Sequence, residues 1–237
     1  MSNTYFKFKK FTIHQDKCSF KVTTDTCLLG AYANILQPGR ICDIGTGSGI
    51  LSLMMAQKFP GALIDAVEID PLSARQAREN VDASLWKERI SVYNESIQSF
   101  AKTATQKYDM VISNPPYFED HLRSHDPRKS LARHNLRLSF IELAEIVDYF
   151  LTNNGRFYTI LPPDPFQRLN ETLQIRGFRL NDQLEIYNSP EKPLYRIIGG
   201  FNRQKSWLSR TRLFIYDGEK EYTQEFKILL RDYYLAF

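Results

Sequence analysis

The chain has 237 residues, 43% apolar and 24% charged, with a net charge of +4. This composition excludes disorder, collagen-like sequence and a disulfide scaffold, and no apolar run approaches the ~18 residues of a transmembrane helix. The length suits one generous domain.

Met1 to Lys7 contain no apolar signal-peptide core, so a cytoplasmic protein without membrane contact is expected. Cys18, Cys27 and Cys42 lack metal-type spacing and read as reduced thiols, so no metal is expected. Residues 1–21, 121–137 and 192–237 each carry a net +4, which leaves the rest of the chain acidic. Ordinary solvated surface accounts for that pattern. So does an acidic catalytic body whose basic edges meet a polyanion.

From about residue 40 short β-rich runs alternate with helical patterns. Residues 40–44 read as a strand that ends in glycines. Residues 50–59 read as a helix stopped by Pro60-Gly61, and 62–69 as a second strand. Residues 71–83 form a helix pattern with Asp70 as N-cap and Pro71 at the first helical position. Strands are expected at 90–93 and 108–113, a helix at 139–151 and a strand at 156–161. Beyond them come a helix at 165–175, strands at 178–187 and 195–201, a turn or loop at 204–212, a strand at 213–216 and a helix at 221–235. This order predicts an α/β parallel sheet with helices on both faces. Ligands of such sheets bind at the carboxyl ends of the strands. No linker is visible, so a single domain is expected over 1–237.

Four residue groups fall just after strands. In Asp43-Ile44-Gly45-Thr46-Gly47-Ser48-Gly49 the glycines permit positive φ and close approach to a ligand. The spacing is neither the dinucleotide fingerprint nor a P-loop. An acid before the first glycine would repel a pyrophosphate but could meet an ammonium, which points to a zwitterionic nucleoside such as S-adenosylmethionine. Val67-Glu68-Ile69-Asp70 offers Glu68 to ribose hydroxyls, Asp70 being the helix cap. Asn94-Glu95-Ser96 could bond an adenine amino group, although surface polar residues look the same. Asn114-Pro115-Pro116-Tyr117 is the most specific group. Its prolines stiffen the loop and present carbonyl oxygens. The Asn114 oxygen and a proline carbonyl can accept both hydrogens of a planar amino group, and Tyr117 offers a stacking face. The chemistry is positioning of a weak nitrogen lone pair against a sulfonium methyl.

Together the glycine loop, the acid after the second strand and Asn-Pro-Pro-Tyr resemble class I S-adenosylmethionine-dependent methyltransferases of the amino-group type, over residues 40–161. Residues 11–31, through Thr23-Thr24-Asp25-Thr26, resemble the N-terminal signature of the bacterial tRNA1(Val) adenine-37 N6-methyltransferase family. Lys192-Pro193, Arg196 and the Tyr-rich ending from Tyr222 to Tyr234 are similar as well. The resemblance implies a Rossmann-like doubly wound sheet of seven strands, mostly parallel, with an antiparallel C-terminal strand. It divides the domain into a cofactor-covering segment (1–39), a cofactor and catalytic half (40–161) and a C-terminal half with a basic surface (162–237).

By position the resemblance implies that Asp43, Gly45 and Gly47 line the methionine part of the cofactor and that Glu68 holds its ribose. Thr24 and Asp25 lie in the segment that packs over it. Where relatives place Asp against the adenine amino group, this chain has Ser96, with Glu95 just before it as a substitute. Asn114, Pro115 and Tyr117 would hold the target base. Arg133, in a basic stretch that a plain solvated loop also explains, would touch RNA phosphate, together with Lys192 and Arg196. The implied activity is methyl transfer to adenosine N6 in tRNA, and a monomer is expected because no unexplained amphipathic stripe is left over. Guanine N2 of ribosomal RNA, adenine N6 of DNA and protein glutamine N5 are alternative nitrogens. About 39 residues precede the glycine strand and about 75 follow the last motif strand. The first is short for a release-factor-binding domain and the second for a DNA-reading domain. A fold that has lost catalysis and only binds RNA is a further alternative.

Overall fold

The computed structural model describes residues 3–18, 20–115 and 138–237. Its centre is a set of short apolar runs buried on both faces, as parallel strands between helical layers must be. β3 (Arg40–Ile44), β4 (Leu63–Glu68), β5 (Ile90–Asn94) and β6 (Tyr108–Ser113) pair in parallel. Between them lie α2 (Ile50–Lys58), α3 (Pro71–Asp82) and α4 (Ile97–Thr103). α5 (Phe140–Phe150) leads into β7 (Leu151–Leu161) and α6 (Pro163–Ile175). β8 (Arg179–Tyr187), β9 (Leu194–Asn202), β10 (Ser209–Phe214) and α7 (Gln224–Leu230) complete the chain.

Among the described residues the sheet has eight strands rather than seven, in the order β10-β8-β9-β7-β6-β3-β4-β5. β9 runs antiparallel to β7 and β8, while β10 lies parallel to β8. The reversed strand is thus the penultimate one. The strand expected at 213–216 is β10, which begins earlier, inside the stretch expected as a turn. Ser209 to Arg212 are polar and exposed, so this edge strand carries no apolar alternation to read. The final helix is also shorter than expected, ending at Leu230.

Three elements precede β3. β1 (Tyr5–Lys7) and β2 (Thr12–His14) form a hairpin, and α1 (Thr24–Tyr32) follows. Two apolar cores sandwich the sheet. One gathers α1, α2, α7 and the hairpin residues Phe8, Phe11 and Ile13. The other gathers α4, α5 and α6. Lys58 Nζ closes the end of α1 by donating to the Ala31 and Ala33 carbonyls at 2.6 and 2.7 Å.

Paired glycines let aromatic rings lie against β9. A Cβ on Gly200 would stand 2.6 Å from the Tyr158 ring. That ring is fully buried and anchored by its hydroxyl, which donates to the Asn34 carbonyl at 2.9 Å. Gly200→Ala is therefore expected to lower stability by about 1–3 kcal/mol, the usual cost of overpacking, read as a shifted urea midpoint.

Candidate active site

β3 is followed across α2 by β4 on one side, and after β5 the chain returns to place β6 on the other. The crevice between the carboxyl ends of β3 and β6 is thus a topological switch point, where such sheets bind ligands. Ile44 pairs with Ser113 there, and Ser113 Oγ donates to the Ile44 carbonyl at 2.9 Å. The glycine loop and Asn114 leave their strands side by side.

Gly45 and Gly47 adopt φ of +72° and +58°, a region that glycine occupies without strain. A Cβ at either would meet no atom within 4 Å, so the loop has an open side. Its amides, however, are engaged inward. Gly45 and Thr46 donate to the Val67 carbonyl at 2.9 and 3.1 Å, and Gly47 donates to Glu68 Oε2 at 2.8 Å. A cradle of free amides for a phosphate is not what this loop presents. Glu68 Oε1 also accepts from the Asp70 amide at 2.9 Å. A carboxylate has four lone-pair directions, so at least one stays open beyond the amides of Gly47, Asp70 and Ile69. Burial pushes the Glu68 carboxyl above the ordinary range.

Asp43 lies beneath the loop, fully buried. Its Oδ2 accepts from Thr46 Oγ1 at 2.5 Å and Ser52 Oγ at 2.7 Å, and among the described residues its Oδ1 has no side-chain partner. Burial pushes this carboxyl up to about 6, against the lowering effect of the two hydroxyls. The consequence for folding has a definite sign. Between about pH 4 and pH 6 the folded chain holds a proton that the unfolded chain has released, so stability falls as pH rises. The shift corresponds to roughly 3 kcal/mol. Urea unfolding of Asp43→Asn across this window is expected to lack that slope.

α1 delivers a second set of groups to Asn114. Thr23 caps this helix, and Asn114 Nδ2 donates to Thr26 Oγ1 at 2.8 Å. Thr26 Oγ1 lies 3.0 Å from Thr23 Oγ1. With the Thr26 hydroxyl donating to Thr23, its lone pairs face the Asn114 amide nitrogen, and Asn114 Oδ1 has no donor among the described residues. Pro115, the next residue, is buried. Thr24 is exposed. Asp25 is buried and pairs through Oδ2 with Arg196 Nε at 2.7 Å. The Arg196 guanidinium also lies 3.9 Å from the centre of the Tyr195 ring. The structure thus gives Arg196 a protein partner in place of an open surface. Lys192 is exposed in the β8–β9 connection.

At the end of β5, Asn94 Nδ2 holds the Glu68 and Ile69 carbonyls at 3.0 and 3.2 Å. Ser96 Oγ accepts from the Ser99 amide at 3.1 Å as the cap of α4. Half-buried Glu95 has no such engagement among the described residues. The segment after β2 borders this end of the sheet. Asn80 Nδ2 on α3 donates to the carbonyls of both His14 and Ser48, each at 2.8 Å. Tyr117 and Arg133 lie outside the described residues. Two contributors were missed from sequence. Thr26 had no local signal. Ile69, 42% exposed between Glu68 and Asp70, could have been found as an apolar residue left bare beside the acid. Among the described residues no acid, His or Cys cluster is placed to hold a metal, and no helix is long and apolar enough to cross a membrane.

A mostly parallel, doubly wound sheet with a glycine loop, an acid and Asn-Pro at three neighbouring strand ends defines the class I methyltransferase fold. A crystal structure of a predicted O-methyltransferase, Atu636 from Agrobacterium tumefaciens, superposes with a TM-score of 0.69 at 18% identity, covering 88% of this chain and 96% of that one. The methyltransferase small domain family model matches residues 22–146. The tRNA1(Val) (adenine(37)-N6)-methyltransferase of Dyadobacter fermentans is 37% identical over 99% of both chains. The protein of the same name from Trichodesmium erythraeum is 37% identical over the whole of both. The chain belongs to the tRNA1(Val) (adenine(37)-N6)-methyltransferase family.

Proposed function

We propose that the protein transfers a methyl group from S-adenosylmethionine to N6 of adenosine 37, beside the anticodon of tRNA1(Val), in the cytoplasm. The observation that carries this reading is the fixed amide of Asn114, held through Nδ2 by Thr26, with no donor on Oδ1 among the described residues. We read all 237 residues as one domain, because β8, β9 and β10 extend the sheet that carries the site.

The site suits the cofactor. The open side of Gly45 and Gly47 leaves room for its methionine part, and Glu68 retains acceptor capacity for a ribose hydroxyl. Glu95 is the better acceptor for the adenine amino group, since Ser96 Oγ already accepts a helix amide. Ile69 supplies an apolar face beside Glu68. Asp43 acts from below by holding Thr46 and Ser52, and Thr24 and Asp25 open α1, whose Thr26 holds Asn114. Bound S-adenosylmethionine supplies an electrophilic methyl on sulfur.

The protein's own part is to prepare N6. An exocyclic amine conjugated to a purine ring is a poor nucleophile. Asn114 Oδ1 and the Pro115 carbonyl accept its two hydrogens, which fixes the nitrogen and favours its lone pair turning out of the ring plane. Tyr117 would stack the flipped base. Orientation of this kind supplies much of the rate without a strong base. Lys192 and Arg133 would meet RNA phosphates, whereas Arg196 positions α1 through Asp25.

Tritiated methyl transfer into bulk bacterial tRNA, followed by nucleoside digestion, tests the proposal. N6-methyladenosine is the expected product. Unlabelled tRNA from a protein that still binds the cofactor would remove the tRNA reading.

A further inference from the structure

The edge of the sheet farthest from β5 carries charge that the transfer site does not use. β10 is the edge strand, and side chains two apart along a strand share a face. Arg210 and Arg212 therefore stand together, opposite Gln183 and Glu185 of β8. They share one carboxylate: Arg210 Nε is 3.6 Å from Glu185 Oε1, and Arg212 Nε is 3.4 Å from Oε2. Two cations against one anion leave an excess positive charge, and the arginine side chains are 56% and 68% exposed. Arg179, at the start of β8, and Lys205 are exposed and have no ion pair among the described residues. Between Lys205 and Arg210 stands Trp207, 93% exposed. Arg179 and Arg210 also line an open groove of about 680 Å³ beside α6, with the amides of Gln167, Asn170 and Gln174.

Cations beside an uncovered indole suit a polyanion that also offers flat bases, because arginine and lysine meet phosphates while the ring stacks. The location says which part of such a ligand is met. β10 and β6 run in the same direction, four strands apart. Trp207 precedes β10 at its amino end, whereas Asn114 follows β6 at its carboxyl end. Strand spacing and rise place the two roughly 25 Å apart. An RNA whose reactive base lies at Asn114 reaches this edge with a portion remote from that base.

We propose that Arg179, Lys205, Trp207, Arg210 and Arg212 form a docking surface for the tRNA body beyond the anticodon stem-loop. This rests on the tRNA reading above. The surface makes affinity depend on the whole tRNA fold, while the chemistry depends on the loop.

The test compares full-length unmodified tRNA with the isolated anticodon stem-loop by filter binding, using the intact protein and two variants. R179Q/K205Q/W207A touches no ion pair of the described residues. R210Q/R212Q removes the paired arginines. Full-length tRNA is expected to bind the first variant about 10-fold or more weakly. Its log–log salt dependence should flatten by about 2, one unit per lost phosphate contact. The second variant should flatten it similarly. Stem-loop binding, cofactor affinity and the rate at saturating tRNA should not change. Equal affinity and slope for full-length tRNA in all three proteins would overturn the surface while methylation stands. An equal loss with the stem-loop would place the contact at the loop and overturn it too. So would tighter binding of the intact protein to phosphatidylserine vesicles than to tRNA at the same salt, which would assign the edge to lipid. A protein that neither binds nor methylates tRNA would overturn both readings.

Discussion

Asn114→Ala is expected to lower kcat/KM for tRNA by about 10²–10³-fold, the scale of losing one preorganised polar contact at a reacting centre. Cofactor affinity should stay within about 2-fold, since the glycine loop and Glu68 are held by their own contacts. The split distinguishes a group that handles the target amine from one that supports the cofactor. The same geometry makes a finer prediction about amide orientation. Thr26→Val keeps the side-chain shape and removes the hydroxyl that holds Asn114 Nδ2. The amide can then flip and set its NH2 against the N6 hydrogens, a donor facing donors. The expected result is a fall in kcat of about 10-fold with an unchanged KM for the cofactor, and recovery in Thr26→Ser. A role for Thr26 in helix packing alone would leave kcat and KM unmoved once the variant is folded. Equal activity of Asn114→Ala and the parent protein in single-turnover methyl transfer would remove Asn114 from the chemistry.

These predictions draw unequally on what a sequence can show. β3 and β6 were readable because Ile41 to Ile44 and Met110 to Ile112 are short buried runs with turn residues after them. Asp43 and Asn114 at their ends could be placed from that alone, as could Glu68 at the end of β4. α1 escaped because seven of its nine residues are buried, Gly30 among them, so no amphipathic period marks it. α4 is one short stretch with only Ile97 and Phe100 buried. β10 is polar and lies at an edge, where only Leu213 is buried. Contacts between distant elements were beyond reach. Thr26 meets Asn114 across 88 residues, and Asp25 meets Arg196 across 171. The resemblance set Arg196 against RNA phosphate, and folding also placed a carboxylate beside it. A side chain's charge is visible in sequence; the group that neutralises it depends on packing.

That ion pair supports the second large effect. Asp25 and Arg196 have side-chain exposures of only 11% and 13%, and together they tie the first turn of α1 to the start of β9. Asp25→Ala removes the carboxylate that pairs with Nε of a nearly buried guanidinium, a change that costs about 3–5 kcal/mol in comparable pairs. Arg196→Met should cost a similar amount by stranding Asp25. Replacing both, as Asp25→Leu with Arg196→Met, removes the desolvated charges together and should recover most of the stability. Urea unfolding of the two single variants and the double variant measures the coupling directly. The double variant then separates two roles of Arg196. If it methylates tRNA with the parent KM, the arginine acts only by holding α1, and with it Thr26, against Asn114. If it is stable but its KM for tRNA rises several-fold while cofactor affinity holds, the guanidinium also meets RNA from its place beside Asp25. Additive losses in the singles, with no recovery in the double, would show that the pair does not stabilise the fold as a unit.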